Sequence, residues 1–399
     1  MKELTLGNSL AALIDHRGKT PKKLGVDFTD SGVPVISAKL VADGTIDFAS
    51  ARYVDEATWK RWMPVQLQRN DVILTSEAPL GRTAQIRTND PVVLGQRLFA
   101  LRGAEGILDS TFLRYWLDSP RGQASLVSMA SGTTVVGIRQ ELLLKLRLAA
   151  PKFKEQQAIG NVLGSLDDKI AANNDVVSAS NELIRNLYRA LPESSRTLNE
   201  VASLAKNNEQ PHRFLPDKRL VGLEHFDPKS LWLPRSSEPE TATSAKTKFQ
   251  AGDTLFGKLR PYFHKVAIAP FDGYCSTDIL VLRAENPLHS PLVAAAANSD
   301  AVVQQAVNSS NGTRMPRAKW TDIEGCPIPD PDAPATLEFI DFAATLIQDA
   351  TARLEENKAL AKTRDELLPL LMSGKITVRE ASQEAAAAGA QIPSEENEV

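Results

Sequence analysis

Two segments carry residues suited to gripping a polyanion at matched positions: SGTTVVGIRQ at residues 131–140 and NGTRMPRAKW at residues 311–320. Each has a polar-Gly-Thr turn followed by a basic residue. Arginine bonds a guanine edge through two donors at once, while lysine, threonine and backbone amides hold phosphates. On that chemistry the candidate contacts in the first half are Arg82 in PLGRTAQ, Arg97 in GQRLF, Thr133, Thr134 and Arg139. In the second half they are Lys258, Arg260 and Tyr262 in FGKLRPYFHK, then Arg314, Arg317 and Lys319 in NGTRMPRAKW. A solvated surface charge is the plain alternative for each one alone. The turn shared by both halves favours these two loops over the rest.

Residues arranged for catalysis are not found in the sequence. His16, His212, His225, His264 and His289 show no ligand spacing, and Cys275 and Cys326 lie far apart without a CxxC or a nearby His pair, so no metal site is read. No Ser or Cys stands in a recognisable nucleophile turn. There is no Asn-Pro-Pro-Tyr or Asp-Pro-Pro-Tyr segment, and the GNVLG stretch at residues 160–164 lies inside a helical pattern rather than between strand and helix. Ser373-Gly374-Lys375 lacks the rest of a phosphate loop and reads as the end of a helix. Glu356-Asn357-Lys358 has the order of some nuclease sites but falls on a helix surface. The reading is a chain with no chemistry of its own.

The elements that position these loops come in two copies. Asn70-Asp71-Val72-Ile73-Leu74 matches Gly252-Asp253-Thr254-Leu255-Phe256, Leu98–Arg102 (LFALR) matches Leu280–Arg283 (LVLR), and Ser131-Gly132-Thr133 matches Asn311-Gly312-Thr313, at an offset near 180 residues. Short β-branched runs such as VPVIS, DVILTS, VVLGQRLFALR, KVAIA and DILVLR read as strands. Helical patterns at residues 110–119 and 291–307 make each copy a mixed domain.

After each copy the apolar period changes to 3.5. Ile159, Leu163, Leu166, Ile170, Asn173, Val177, Ser180, Ile184, Leu187 and Leu191 follow one stripe. Ile340, Ala343, Ile347, Ala350, Leu354, Asn357, Ala361, Arg364, Leu368 and Leu371 follow another. Narrow stripes of this length predict a coiled-coil seam rather than helices lying on a broad core. Asn173 and Asn357 hold equivalent positions and are expected to meet and fix register, with two unrelated solvated asparagines as the alternative. Pro369 should kink or end the second helix. The expected plan is α+β: two similar mixed α/β domains in pseudo-two-fold arrangement, separated by two long antiparallel coiled-coil helices. Its boundaries are a first domain at 1–154, a helix at 155–196, a second domain at 197–335, a helix at 336–376 and a disordered acidic tail at 377–399.

Length and charge agree with that plan. A chain of 399 residues is too long for one ordinary core and comfortable for two. Its net charge of −3 is unevenly spread: residues 1–154 hold 21 Lys and Arg against 15 Asp and Glu, and residues 336–399 hold 6 against 12. The first domain should therefore bind phosphates more strongly. No run of about 18 uncharged apolar residues and no leader pattern is seen, which reads as a cytoplasmic protein with no membrane contact.

The doubled plan, together with DVILTSEAPLG (71–81), GTTVVGIRQELLLKLRLAAP (132–151), EQQAIGNVLGSLDDKIAANN (155–174) and LLPLLMSGKI (367–376), resembles the specificity subunits of type I restriction-modification systems, from about residue 3 to 376. The resemblance implies that the domains are target recognition domains, each reading one half of a split, asymmetric site on double-stranded DNA. It implies that the helices space the domains and dock two methyltransferase subunits, with restriction/translocase subunits completing the complex. This chain would hold no cofactor; S-adenosylmethionine, ATP and Mg would sit on the partners. A helix of residues 155–191 would span roughly 55 Å at about 1.5 Å per residue, enough to hold two domains about one DNA turn apart. The second helix departs from the pattern, opening with PDAPATLEF and lacking the Glu-Gln pair of the first. A coiled-coil adaptor that never meets DNA is the alternative function.

Overall fold

The structure, a computed structural model, describes residues 2–42, 44–132, 135–310 and 315–392. The chain divides into one unit of residues 1–170 with 359–399 and another of residues 171–358.

In the first unit, a four-stranded antiparallel sheet runs in the order Leu10–Asp15, Leu98–Gly103, Val72–Thr75, Thr83–Gln85. Both faces of this sheet are covered, which explains its unbroken apolar runs. Phe99 and Leu101 pack with Val72, Leu74 and the helix Ser110–Asp118, whereas Leu98 and Ala100 pack with Ile73, Trp62 and a second sheet of Val33–Ile36, Arg52–Val54 and Val93–Leu94. VVLGQRLFALR is thus two strands in two sheets, parted near Arg97, whose φ is +63°.

The second unit repeats the layers. Its sheet runs Ala202–Ala205, Ile279–Ala284, Thr254–Gly257, Val266–Ile268, with Leu280 and Leu282 on one core and Ile279 and Val281 on the other. The second layer here has four strands, Asn208–Glu209, Lys246–Phe249, Gly273–Cys275 and Arg219–Val221. The expected helix at 291–307 is two, Ser290–Ala297 and Asp300–Ser309, because the Ser299 side chain accepts from the Val302 amide and starts a new helix.

The sequence matches have physical causes. Asn70 and Gly252 both have left-handed backbone, with φ +72° and +88°, where Gly and Asn are the residues that fit with least strain. Asp71, buried, receives two bonds from Arg102, both 2.7 Å; Asp253 receives two from Arg283 at 2.8 and 2.6 Å. Each pair is bidentate, and hydrogen bonding to the carboxylate holds each guanidinium more firmly protonated than usual.

The long helices are Phe153–Ala190 and Pro334–Ser373. Leu191, expected on the first stripe, lies just past its helix. The second helix does not end at Pro369 but runs one turn beyond it; Asp365, whose carbonyl loses a donor there, is exposed to water. Gly374, φ +70°, then closes the helix, donating to the Leu371 carbonyl at 3.1 Å.

Within each unit the two helices run antiparallel. In the second, Val177 and Ile184 share a core with Ala350, Ala343 and Ile340; in the first, Asp167 meets Arg364. The stripes are broader than a bare seam. Ile159, Leu163 and Leu166 pack with Leu113 and Trp116 of their own domain, and Val177 and Ile184 pack with Trp232 and Leu292 of theirs. Beyond Asn357 the fully buried position is Leu360 rather than Ala361, followed by Leu367 and Leu371 with the polar Arg364 between them. Two successive three-residue steps, 354 to 357 to 360, shift the stripe there.

At the helix starts, Gln156 is buried: its Oε1 accepts from the Asp109 amide at 2.9 Å and its Nε2 donates to the Ile107 and Pro151 carbonyls. In the second helix Thr336 stands at the matching place, buried, its hydroxyl without a partner among the described residues.

The expected disordered tail at 377–399 needs correction. Residues Val378–Ala387 form a helix opened by Thr377, whose side chain accepts from the Glu380 amide. Ala381, Ala385 and Ala390 are buried in the first unit's core, beside the partly buried Ile376 and Ile392. Its alanines allow close approach of backbone to the core, so a segment poor in large apolar residues still packs. Residues 393–399 lie outside the described set.

Candidate nucleic-acid interface

Three loops meet at one edge of the main sheet in each unit, joined by the same backbone bonds. In the first unit the Ser76 amide donates to the Arg97 carbonyl at 2.9 Å and the Ile138 amide to the Ser76 carbonyl at 2.9 Å. In the second, the Lys258 amide donates to the Asp278 carbonyl at 3.0 Å and the Ala318 amide to the Lys258 carbonyl at 2.9 Å. Glu77 bridges Gly137 in one unit as Leu259 bridges Arg317 in the other. The scaffold thus recurs bond for bond while the side chains on it differ.

On the first scaffold stand Arg82, Arg97 and Arg139. Arg82 is exposed and its Nη1 donates to the Val41 carbonyl at 3.3 Å. Arg97, exposed, pairs with the half-buried Glu77 at 3.1 Å. Arg139 is exposed at the start of the turn Gln140–Leu143, and its side chain meets no partner among the described residues. Thr133 and Thr134 lie outside the described residues, as does Arg314 in the other unit.

On the second scaffold stand Lys258, Arg260, Tyr262, Arg317 and Lys319. The Arg260 amide donates to the Pro316 carbonyl at 2.8 Å, which draws the 258–264 loop against residues 315–319. Arg317 Nε donates to Asp278 at 3.1 Å, and Tyr262 and Lys319 are exposed. Arg97–Glu77 and Arg317–Asp278 each join an exposed guanidinium to a half-buried carboxylate, and surface pairs of this kind contribute about 0–1 kcal/mol.

Arg17 belongs to the first cluster although its type and place did not single it out. It has no counterpart in the second half, so the repeat could not point to it. Its guanidinium bonds Asp15, lies 4.1 Å over the Phe99 ring and donates to the Ile138 carbonyl at 3.2 Å. His264, by contrast, is anchored inside the second cluster, with Nε2 2.8 Å from the Asn298 carbonyl. Burial pushes its pKa down, as it does for His16, so neither is a cation near neutral pH.

Asn173, buried in the second unit, donates from Nδ2 to Asn357 Oδ1 at 2.9 Å and to Glu356 at 2.7 Å. Arg353 donates back to Asn173 Oδ1 at 3.1 Å, and Asn357 donates to Asn174 at 2.8 Å. The two asparagines therefore meet inside a small polar network rather than as an isolated pair. Among the described residues no group of three or more His, Cys, Asp or Glu could hold a metal ion, and no helix is long and apolar enough to cross a membrane.

The chain is similar to known proteins. Residues 8–178 match the family model described as type I restriction modification DNA specificity domain. The chain is 27% identical over 189 residues to the EcoDI specificity subunit of Escherichia coli, a match spanning 45% of this chain and 41% of that one. Against the MjaIX specificity subunit of Methanocaldococcus jannaschii it is 21% identical over 402 residues, 91% of each chain. Among solved structures, the S subunit of a type I restriction-modification system from M. genitalium superposes with TM-score 0.58 at 16% identity, over 93% of this chain and 95% of that one. That likeness establishes the fold: two mixed α/β domains with two long helices.

Proposed function

We propose that this chain is a specificity subunit of a type I restriction-modification system, which reads a bipartite, asymmetric site on double-stranded DNA and directs its partners there. The observation that carries the reading is the scaffold built twice, by the same backbone bonds, with different side chains on each copy. Equal scaffolds set equal modes of approach; unequal side chains read unequal half-sites. In the first unit Arg17, Arg82, Arg97 and Arg139 would contact DNA, and in the second Lys258, Arg260, Arg317 and Lys319.

The chain performs no catalytic step in this reading. Two methyltransferase subunits would supply S-adenosylmethionine chemistry on adenine, and restriction/translocase subunits would use ATP and Mg, in the cytoplasm. The long helices would be the docking surface for the methyltransferase subunits.

The test is binding of the full chain to duplex DNA over a salt series. Affinity should fall steeply with salt, and Arg317→Ala and Lys319→Ala should each flatten the slope by about one unit for each phosphate no longer neutralised. A chain that is not retained on duplex DNA or heparin at low salt is an adaptor, and the reading fails. Methylome sequencing of cells carrying the chain with its methyltransferase should show a split, non-palindromic methylated motif; a palindrome would overturn the asymmetry.

A further inference from the structure

The 258–264 loop of the second unit carries two aromatic rings in the open. Tyr262 is 54% and Phe263 44% exposed, and their ring centroids lie 4.7 Å apart at 53°. Large rings displayed side by side in water mark a contact surface. The corresponding loop in the first unit has nothing similar: its one large apolar side chain, Leu80, packs onto the core.

The backbone under the rings is held in a sparsely populated conformation. Arg260 and His264 bracket the turn Pro261–Phe263 with φ of +52° and +50°, left-handed values that non-glycine residues rarely adopt. Such a conformation persists only where its surroundings over-determine it. Here the Arg260 amide is tied to the Pro316 carbonyl, the buried His264 ring to the Asn298 carbonyl, and the His264 carbonyl to the Lys229 amide at 2.8 Å. The rings therefore stand on a fixed turn, preorganised for a contact instead of collapsing onto the domain.

What surrounds them selects the occupant. Lys258, Arg260, Arg317 and Lys319 share the same scaffold, and the Lys265 ammonium lies 6.0 Å over the Phe263 ring. An apolar protein groove would meet these cations at a desolvation cost. A nucleic acid offers both matching parts, phosphates for the cations and flat bases for the rings.

We propose that Tyr262 and Phe263 form a wedge that enters between adjacent base pairs in the half-site read by the second unit and unstacks one step. The proposal rests on the DNA-reading function and adds an asymmetry to it, since only the second unit carries the wedge. The experiment uses the full chain and a duplex enriched from a random pool by this chain. 2-Aminopurine, whose fluorescence rises on unstacking, is placed at each adenine in turn. A rise confined to one step in one half-site is expected. The Tyr262→Ala/Phe263→Ala variant should lose that rise and bind roughly ten-fold more weakly, the scale of removing one ring from a stack. Tyr262→Phe, which keeps the ring, should retain the signal. Binding without a rise at any position overturns the wedge and leaves the reading of DNA intact, whereas absence of binding at low salt removes the reading itself. A double variant that binds DNA as well as the wild type but loses a protein partner also overturns it.

Discussion

Asp167 is the carboxylate whose removal should hurt the first unit most. It sits on the first long helix, nearly buried; Oδ2 accepts from Arg114 Nη1 and from the Tyr115 hydroxyl, both at 2.6 Å, and Oδ1 accepts from Arg364 Nη1 at 2.7 Å. Burial alone would raise its pKa, but the two guanidiniums and the Tyr115 hydroxyl outweigh that and hold it below the usual carboxylate value. Asp167→Ala leaves Arg114, itself buried, with Asp118 as its remaining carboxylate at 3.5 Å. Breaking a buried pair by removing one partner costs about 3–5 kcal/mol. In a unit of this size each kcal/mol is worth about 2–4 °C, so the unfolding transition should drop by roughly 6–20 °C. Arg364→Leu should do less, because Asp167 keeps Arg114 and Tyr115; loss of one charged hydrogen bond is worth about 1.5–3 kcal/mol. Differential scanning calorimetry of the full chain reads both. The pH dependence has a defined sign. With a lowered folded pKa, the stabilisation is complete above the unfolded value of about 3.9 and is lost as pH falls through the folded one. The gap between wild type and Asp167→Ala should therefore stay constant from neutral pH down to about 5 and narrow only below about 4. A shift under about 2 °C, or an Arg364→Leu variant as damaged as Asp167→Ala, would refute the reasoning.

Replacing Asn173 and Asn357 together with Leu should raise the melting temperature and loosen helix register, read by disulfide trapping of cysteine pairs placed across the helices; an unchanged or lower melting temperature counts against a register role. At the left-handed turns, Gly252→Asn should be nearly neutral while Gly252→Val and Asn70→Val should each cost about 1–2 kcal/mol in chemical denaturation. Equal losses for Asn and Val at position 252 would show that the backbone there is not what selects the residue. Truncation after Thr377 should destabilise the first unit, with amides near Leu371 exchanging faster, because it uncovers the core that Ala381 and Ala385 occupy; unchanged exchange would return the tail to the unfolded role its composition suggested.

The parts of the fold legible in the sequence are those where one physical demand dominates. The 70–74 and 252–256 matches could be seen because a left-handed turn and a bidentate Asp–Arg pair admit few residues. The Asn173–Asn357 meeting could be anticipated because a polar residue stands out on an apolar stripe. What stayed hidden depends on partners distant in sequence. Leu360 takes the buried place of Ala361 because the stripe shifts by a step that spacing alone does not announce. The Val378–Ala387 helix is hidden because small residues bury well against a surface that sequence does not display. Arg17 joins the loop cluster through a ring and a carbonyl more than eighty residues away. Long-range contacts of this kind are set by the packed sheet, not by local composition.

The division of the chain bears on how it is made. Residues 171–358 form the second unit without interruption, whereas the first needs residues 359 onward to close its core with Leu360, Leu367 and Leu371. During translation the second unit can therefore finish folding first, although its residues emerge later. Until the last helices leave the ribosome, the nascent first unit carries an uncovered apolar flank where Leu360, Leu367 and Leu371 will complete its core, a surface prone to aggregate or to attract a chaperone. A message cut short anywhere before residue 359 would leave that flank permanently bare, so truncated chains should be insoluble or degraded rather than act as half-length competitors for partners.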